Sequence, residues 1–200
     1  MIHSVIIFNT SGVPRLTKFY SPIHKSPQAL VQRIYQLIST RATRLCNFLD
    51  APELEEFLAR GSAGEEQEKL RVVYRSYATL HFVFVVDASE SELGILDLIQ
   101  VFVESLDRAF ENVCELDLVF HFDEAHHILA EIIQGGIVLE TNLEEIDNCV
   151  QQASQLRKQS FASANPLALG GSGVGPRSAG LQTPLNWLTN KLTLAGGARQ

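Results

Sequence analysis

The sequence has no run of about 20 apolar residues, the length needed to cross a bilayer. Its most apolar helical stretch, residues 93–103, is interrupted by Asp97 and Gln100, so any membrane contact is expected to be peripheral. Cysteine is scarce too: Cys46, Cys114 and Cys149 are odd in number, lie more than 30 residues apart and follow no basic start with an apolar middle. That pattern argues against a disulfide framework and for a reducing compartment. Positive charge is in short supply, with 16 Lys and Arg against 23 Asp and Glu. A net charge of −7 argues against a surface that grips phosphate backbones, and no nucleic-acid partner is expected. Asp123-Glu124-Ala125-His126 spells a helicase tetrapeptide, but no Gly-x-x-x-x-Gly-Lys-Ser/Thr cradle accompanies it, and that cradle is indispensable to ATP chemistry. A Gly-x-Ser-x-Gly nucleophile motif is missing as well. No cofactor is expected.

What the chain does contain is apolar material for one ordinary core, at 46% of 200 residues. Charge is uneven along it: residues 1–147 hold 11 basic and 23 acidic side chains, whereas residues 148–200 hold five basic and none acidic. Seven of the 13 glycines fall between 170 and 197, mixed with Ser, Ala and Pro. Such a composition buries too little to offset its ordering entropy. The expected division is therefore a folded domain over residues 1–158 and a disordered tail over 159–200, with Trp187 and its neighbouring leucines as an apolar island in the tail.

Within the domain, Ile2 to Phe8 reads as a strand buried on both faces, and Thr10-Ser11-Gly12-Val13-Pro14 as a turn into a second strand. Ser26-Pro27 marks a helix start, followed by Leu30, Ile34, Leu37, Ile38 and Leu45 at helical spacing. Residues 50–68 are acidic and contain glycine, with only Leu54, Phe57 and Leu58 as a small apolar face; they read as an exposed insertion. Val, Phe and Tyr then dominate residues 70–77 and 79–86, the second run being too apolar to have a wet face.

Ser89-Glu90-Ser91-Glu92 fits a capping box before a long helix. Leu96, Ile99, Val103, Leu106, Phe110 and Val113 form its main row, and Ile95, Leu98 and Phe102 a second. Cys114 sits in an apolar run and reads as a small core residue. Ile128, Leu129, Ile132 and Ile133 form another helical face ending at Gly135-Gly136, and Thr141-Asn142-Leu143-Glu144 opens a last helix ending near Lys158. The fold class is α/β in the α+β sense: a five-stranded antiparallel sheet flanked by helices, with additional C-terminal helices.

Two long segments carry a resemblance. Val72-Val73-Tyr74-Arg75-Ser76-Tyr77-Ala78-Thr79-Leu80-His81-Phe82 resembles the signature of the small (sigma) chains of clathrin-adaptor-type complexes, although His81 stands where that signature usually has Tyr. Phe110-Glu111-Asn112-Val113-Cys114-Glu115-Leu116-Asp117-Leu118 is similar to a second hallmark of the family. The runs over residues 89–104 and 135–142 look like the sigma subunit of adaptor-protein complex type three.

The resemblance implies a longin-like fold and a noncatalytic role in a heterotetramer, beside a large delta-type subunit and beta and mu partners. It implies cargo sorting between Golgi or endosome and lysosome or vacuole. Cytoplasmic location follows, peripheral on Golgi, endosomal and vesicle membranes, with an Arf-family GTPase as recruiter. It also implies a site for acidic dileucine signals, [Asp/Glu]-x-x-x-Leu-[Leu/Ile], on the cytosolic tails of membrane proteins. On this chain Arg15 matches the arginine facing the acidic position. Ala78, Leu80, Val103, Val113, Leu116 and Leu118 match the apolar lining, and Asn112 a polar rim. On one straight helix Val103 and Val113 would stand about 15 Å apart, so they line opposite ends of a groove or belong to two elements.

Two alternatives make different demands. A free longin-domain trafficking regulator would need no large partner. A metal-dependent hydrolase would use His121, His126 and His127 with Asp123 and Glu124, although their spacing is not His-Glu-x-x-His.

Overall fold

The computed structural model describes residues 1–42, 45–58 and 69–164, excepting the side chains of 158 and 161–164. The expected tail from 165 onward, with Trp187, and most of the expected insertion, residues 59–68, lie outside them.

β1 (Ile2–Asn9) and β2 (Pro14–Phe19) form the expected hairpin. Asn9 closes it by accepting, on its side-chain oxygen, the N–H groups of Ser11 (3.0 Å) and Val13 (2.9 Å), an Asx turn that replaces missing backbone partners. β4 (Arg71–Tyr77) and β5 (Leu80–Val86) form a second hairpin. With β3 (Phe48–Asp50) they make a five-stranded antiparallel sheet in the order β2-β1-β5-β4-β3.

Side chains alternate across this sheet, and both faces are covered. On one face Ile6, Phe8, Val72, Val83 and Val85 pack with Leu30, Val31, Ile34 and Ile38 of α1 (Pro27–Ser39). Pro27 opens that helix because a proline lacks only an N–H that the first turn leaves unpaired anyway. On the other face Val5, Ile7, Phe82, Phe84 and Val86 meet α2 (Glu92–Phe110), α4 (Phe122–Ile132) and α5 (Leu143–Ala164). Each fully buried side chain of this kind contributes about 1.5–3 kcal/mol, so the unbroken apolar runs of β1 and β5 dictate a two-sided sandwich.

The structure departs from the sequence reading in several places. Residues 51–58 are not an exposed insertion: Pro52–Leu54 form a 3-10 turn, and Leu54 and Leu58 are buried against α1's side of the sheet. Leu58 also bridges to Ile23. Leu45 lies beyond the end of α1 and is exposed. In α2 the buried line draws on both apolar rows: Ile95, Leu98 and Phe102 of the second and Ile99 and Leu106 of the main row are buried, while Leu96, Val103 and Phe110 flank them half-buried. Ser91 rather than Ser89 caps this helix, accepting from the N–H of Gly94.

Gly135-Gly136 does not end a helix. α4 stops at Ile132, and the two glycines, at φ 60° and 80°, turn a short hairpin of β6 (Ile133–Gln134) and β7 (Ile137–Val138). Two consecutive left-handed residues suit the twist of a tight hairpin. α5 runs to Ala164, past the expected end near Lys158.

Candidate functional site

The region that matters lies where α2 ends. Glu111 (φ 51°) and Asn112 (φ 79°) adopt left-handed backbone and stop the helix, a conformation asparagine tolerates better than most residues. Asp107 then accepts from the N–H of Val113 at 3.1 Å, and the chain re-enters helix as α3 (Glu115–Phe120). Cys114 caps α3 and is exposed, which corrects the core reading. The Asp117 carboxylate accepts from the N–H of Cys114 at 2.8 Å, and hydrogen bonds from Cys114 hold it below the usual carboxylate range.

Glu115, the first residue of α3, is the junction of this end of the sheet. One of its oxygens accepts from Nε (2.8 Å) and Nη2 (2.6 Å) of Arg15 at the start of β2. Asn9, at the end of β1, donates to the same oxygen at 3.1 Å. Arg15 first, then Asn9, hold the Glu115 carboxyl below the usual range. Three donors on one anion fix its position.

Around this junction the eight expected site residues sort by exposure. Leu80 and Leu118 are core residues, buried on the α2 side of the sheet. Val103 and Val113 are half-buried against the same core and belong to two elements, because α2 ends between them. Ala78, at φ 50°, and Asn112 are exposed, as is Leu116 at 62%. The Arg15 side chain is 25% exposed. Asn9 pairs with Leu80 and Phe8 with Pro14, and Glu115 reaches Asn9 and Arg15, so Arg15, Ala78, Leu80 and Leu116 lie at one end of the sheet. Val103 joins them only through the core.

Sequence reasoning missed Glu115. Its signal was a carboxylate at a helix start, where the helix dipole favours negative charge, together with an arginine otherwise lacking a partner. Beyond it, Val119, Phe120 and Phe122 are exposed, Phe120 at 73%.

The histidines have other occupations. His121 stacks near Phe110 at 5.8 Å, His126 Nδ1–H donates to the carbonyl of Phe122 at 2.8 Å, and His127 faces Glu131 at 3.8 Å. Among the described residues no three His, Cys, Asp or Glu side chains are grouped to hold a metal ion, so the hydrolase alternative has no ligand set there. Nor is any described helix long and apolar enough to cross a membrane.

Comparison with known proteins decides the family. The family described as clathrin adaptor complex small chain matches residues 1–157. The chain belongs to the clathrin adaptor small chains. Similar proteins include the AP-3 complex subunit sigma of Schizosaccharomyces pombe, 56% identical over 169 residues, covering 84% of this chain and 94% of that one. The human AP-3 complex subunit sigma-2 is 49% identical over 159 residues, 79% of this chain and 77% of its own length. The Dictyostelium discoideum AP-3 complex subunit sigma is 45% identical over 175 residues, 87% of this chain and 95% of its own. Among solved structures, a chain of a homology model of the full-length AP-3 complex in a stretched open conformation matches with a TM-score of 0.59 and 40% identity, covering 82% of this chain and 99% of that chain. As an adaptor small chain, the protein is a longin-like, noncatalytic component of vesicle transport.

Proposed function

We propose that this chain serves as the sigma subunit of an AP-3-type heterotetramer, packed against a large delta-type subunit beside beta and mu subunits. There it contributes to recognition of acidic dileucine signals on cytosolic tails of membrane cargo. The complex would act peripherally on Golgi, endosomal and transport-vesicle membranes, with an Arf-family GTPase as recruiter and lysosome or vacuole as destination. The observation that carries this reading is the Arg15–Asn9–Glu115 cluster at the end of the sheet where the exposed Ala78 and Leu116 also lie, in a chain similar to AP-3 sigma subunits over most of its length.

The energetics divide the work between two kinds of contact. Each signal leucine that leaves water contributes about 1.5–3 kcal/mol, whereas a partly exposed arginine pair contributes only about 0–1 kcal/mol. The leucines therefore carry affinity, and Arg15 carries selectivity for an acidic residue upstream. Ordering a flexible tail costs about 2–5 kcal/mol, which leaves a weak single site. Retention of cargo then depends on several simultaneous contacts at the membrane. Exposed apolar side chains such as Phe120 (73%), Phe122 (59%), Ile137 (65%) and Leu139 (57%) suit a chain that packs against larger companions.

The test is coexpression with the cognate large subunit, followed by titration with an acidic dileucine peptide and its double-alanine version. The expected result is saturable binding of the first and none of the second, with acid selectivity lost on Arg15→Glu. Equal binding of both peptides would remove the cargo role and leave the subunit role intact.

A further inference from the structure

We propose that Glu115 is a specificity-determining residue of that same site, an anion built into the chain that occupies Arg15 when no signal is bound and that an incoming acidic side chain must displace or share. The proposal rests on the dileucine reading above. Its basis is geometric: Arg15 aims Nε and Nη2 at one Glu115 oxygen, at 2.8 and 2.6 Å. That is the kind of approach it would make to a carboxylate from outside.

The carboxylate is held by more than Arg15. Asn9 supports it from β1, and the backbone that carries it is the first turn of α3. Arg15 stands on the opening residues of an edge strand. The better-anchored partner is therefore Glu115, and the guanidinium is the group that can turn toward a ligand. The cluster is close to neutral as it stands, one guanidinium against one carboxylate. A second carboxylate arriving there meets attraction from Arg15 and repulsion from Glu115.

Two consequences follow. Acidic signals gain less from Arg15 than a bare arginine would give them, so the site tolerates variation at the acidic position and depends chiefly on the leucines. Removing the built-in charge should reverse this. Glu115→Gln preserves the size of the side chain and an acceptor oxygen for Arg15, and leaves the cluster cationic.

The experiment uses the adaptor complex containing this chain, wild type and Glu115→Gln. It is titrated with three synthetic peptides: acidic-x-x-x-Leu-Leu, the same with Gln at the acidic position, and the same with both leucines changed to Ala. The expected result is that Glu115→Gln raises the preference for the acidic over the Gln peptide by up to roughly fivefold. The acidic peptide should also show a steeper loss of binding with salt, and the double-alanine peptide should stay unbound. A merely structural role would weaken both leucine-bearing peptides together and leave their ratio unchanged.

Should Glu115→Gln fail to assemble, Glu115→Asp keeps the charge but draws the carboxylate back from Arg15 by one methylene, and is expected to shift the ratio in the same direction by a smaller factor. Leucine-dependent binding with an unchanged ratio in the variant that assembles would overturn the Glu115 proposal and leave the cargo reading standing. No leucine-dependent binding by the wild-type complex would overturn both.

Discussion

A Cβ on Gly136 would stand 2.4 Å from the backbone oxygen of Ile2, while the N–H of Ile2 donates to the carbonyl of Gly136 at 2.9 Å. The β6–β7 turn is thus pressed against the first strand of the sheet. Gly135, next to it, has nothing within 4 Å of its would-be Cβ, though its φ is 60°. Gly135→Ala should cost about 1–2 kcal/mol, the penalty for a left-handed L-residue. Gly136→Ala should cost more, because it adds a clash with backbone that cannot swing aside. Urea unfolding of the two variants measures the difference, and equal losses would contradict the close approach.

Leu116 and Leu118 separate binding from folding. Leu118→Ala empties a fully buried position and should cost about 2–5 kcal/mol. Leu116, 62% exposed, should change stability by no more than about 0.5 kcal/mol when truncated. Leu116→Ala is therefore the informative variant: it should weaken dileucine-peptide binding while the thermal midpoint of the chain stays put. A large fall in that midpoint would mean that Leu116 packs as core.

His81 makes stability depend on pH. Its Nδ1 lies 2.7 Å from Oγ of Ser76 and its ring 5.4 Å from that of Phe8, and burial pushes its pKa below the ordinary 6.5. The unfolded chain therefore takes up the proton at a higher pH than the folded one. Stability is fully present above about pH 6.5 and is lost as the pH falls from there through the lower folded value. His81→Tyr should flatten that acid-side loss, and thermal midpoints of both forms across a pH series would reveal it. Parallel curves for the two would refute the assignment.

Leu54 is 0% exposed, within the stretch whose acidity suggested an insertion. Leu54→Ala should cost about 2–5 kcal/mol, measured by chemical unfolding. A loss below about 0.5 kcal/mol would restore the picture of an exposed insertion.

The central strands were legible because apolar runs such as Val83 to Val86 admit few alternatives, and the helix starts at Pro27 and near Ser91 because capping chemistry is local. β3 was not, since three residues carry no period to read, and its pairing with β4 is a tertiary fact. Leu54 and Leu58 were hidden by the carboxylates between them, which face outward from a short buried turn. The wide apolar stripe of α2 was legible, but its buried line runs between the two rows, a small rotation that only packing resolves. Most of the expected site residues could be assigned from resemblance, yet Arg15 and Glu115 stand 100 positions apart. No spacing rule links partners so distant, and only the fold brings them together.

Because helices and the 51–58 turn cover both faces of the sheet, most of β1 and β5 is interior. Exposed positions lie instead at turns such as the one holding Ala78 and at the short helix after Asn112, where Leu116 and Phe120 face outward. Substitutions there can reshape the surface while the interior stays the same, so surface variation is compatible with an unchanged core.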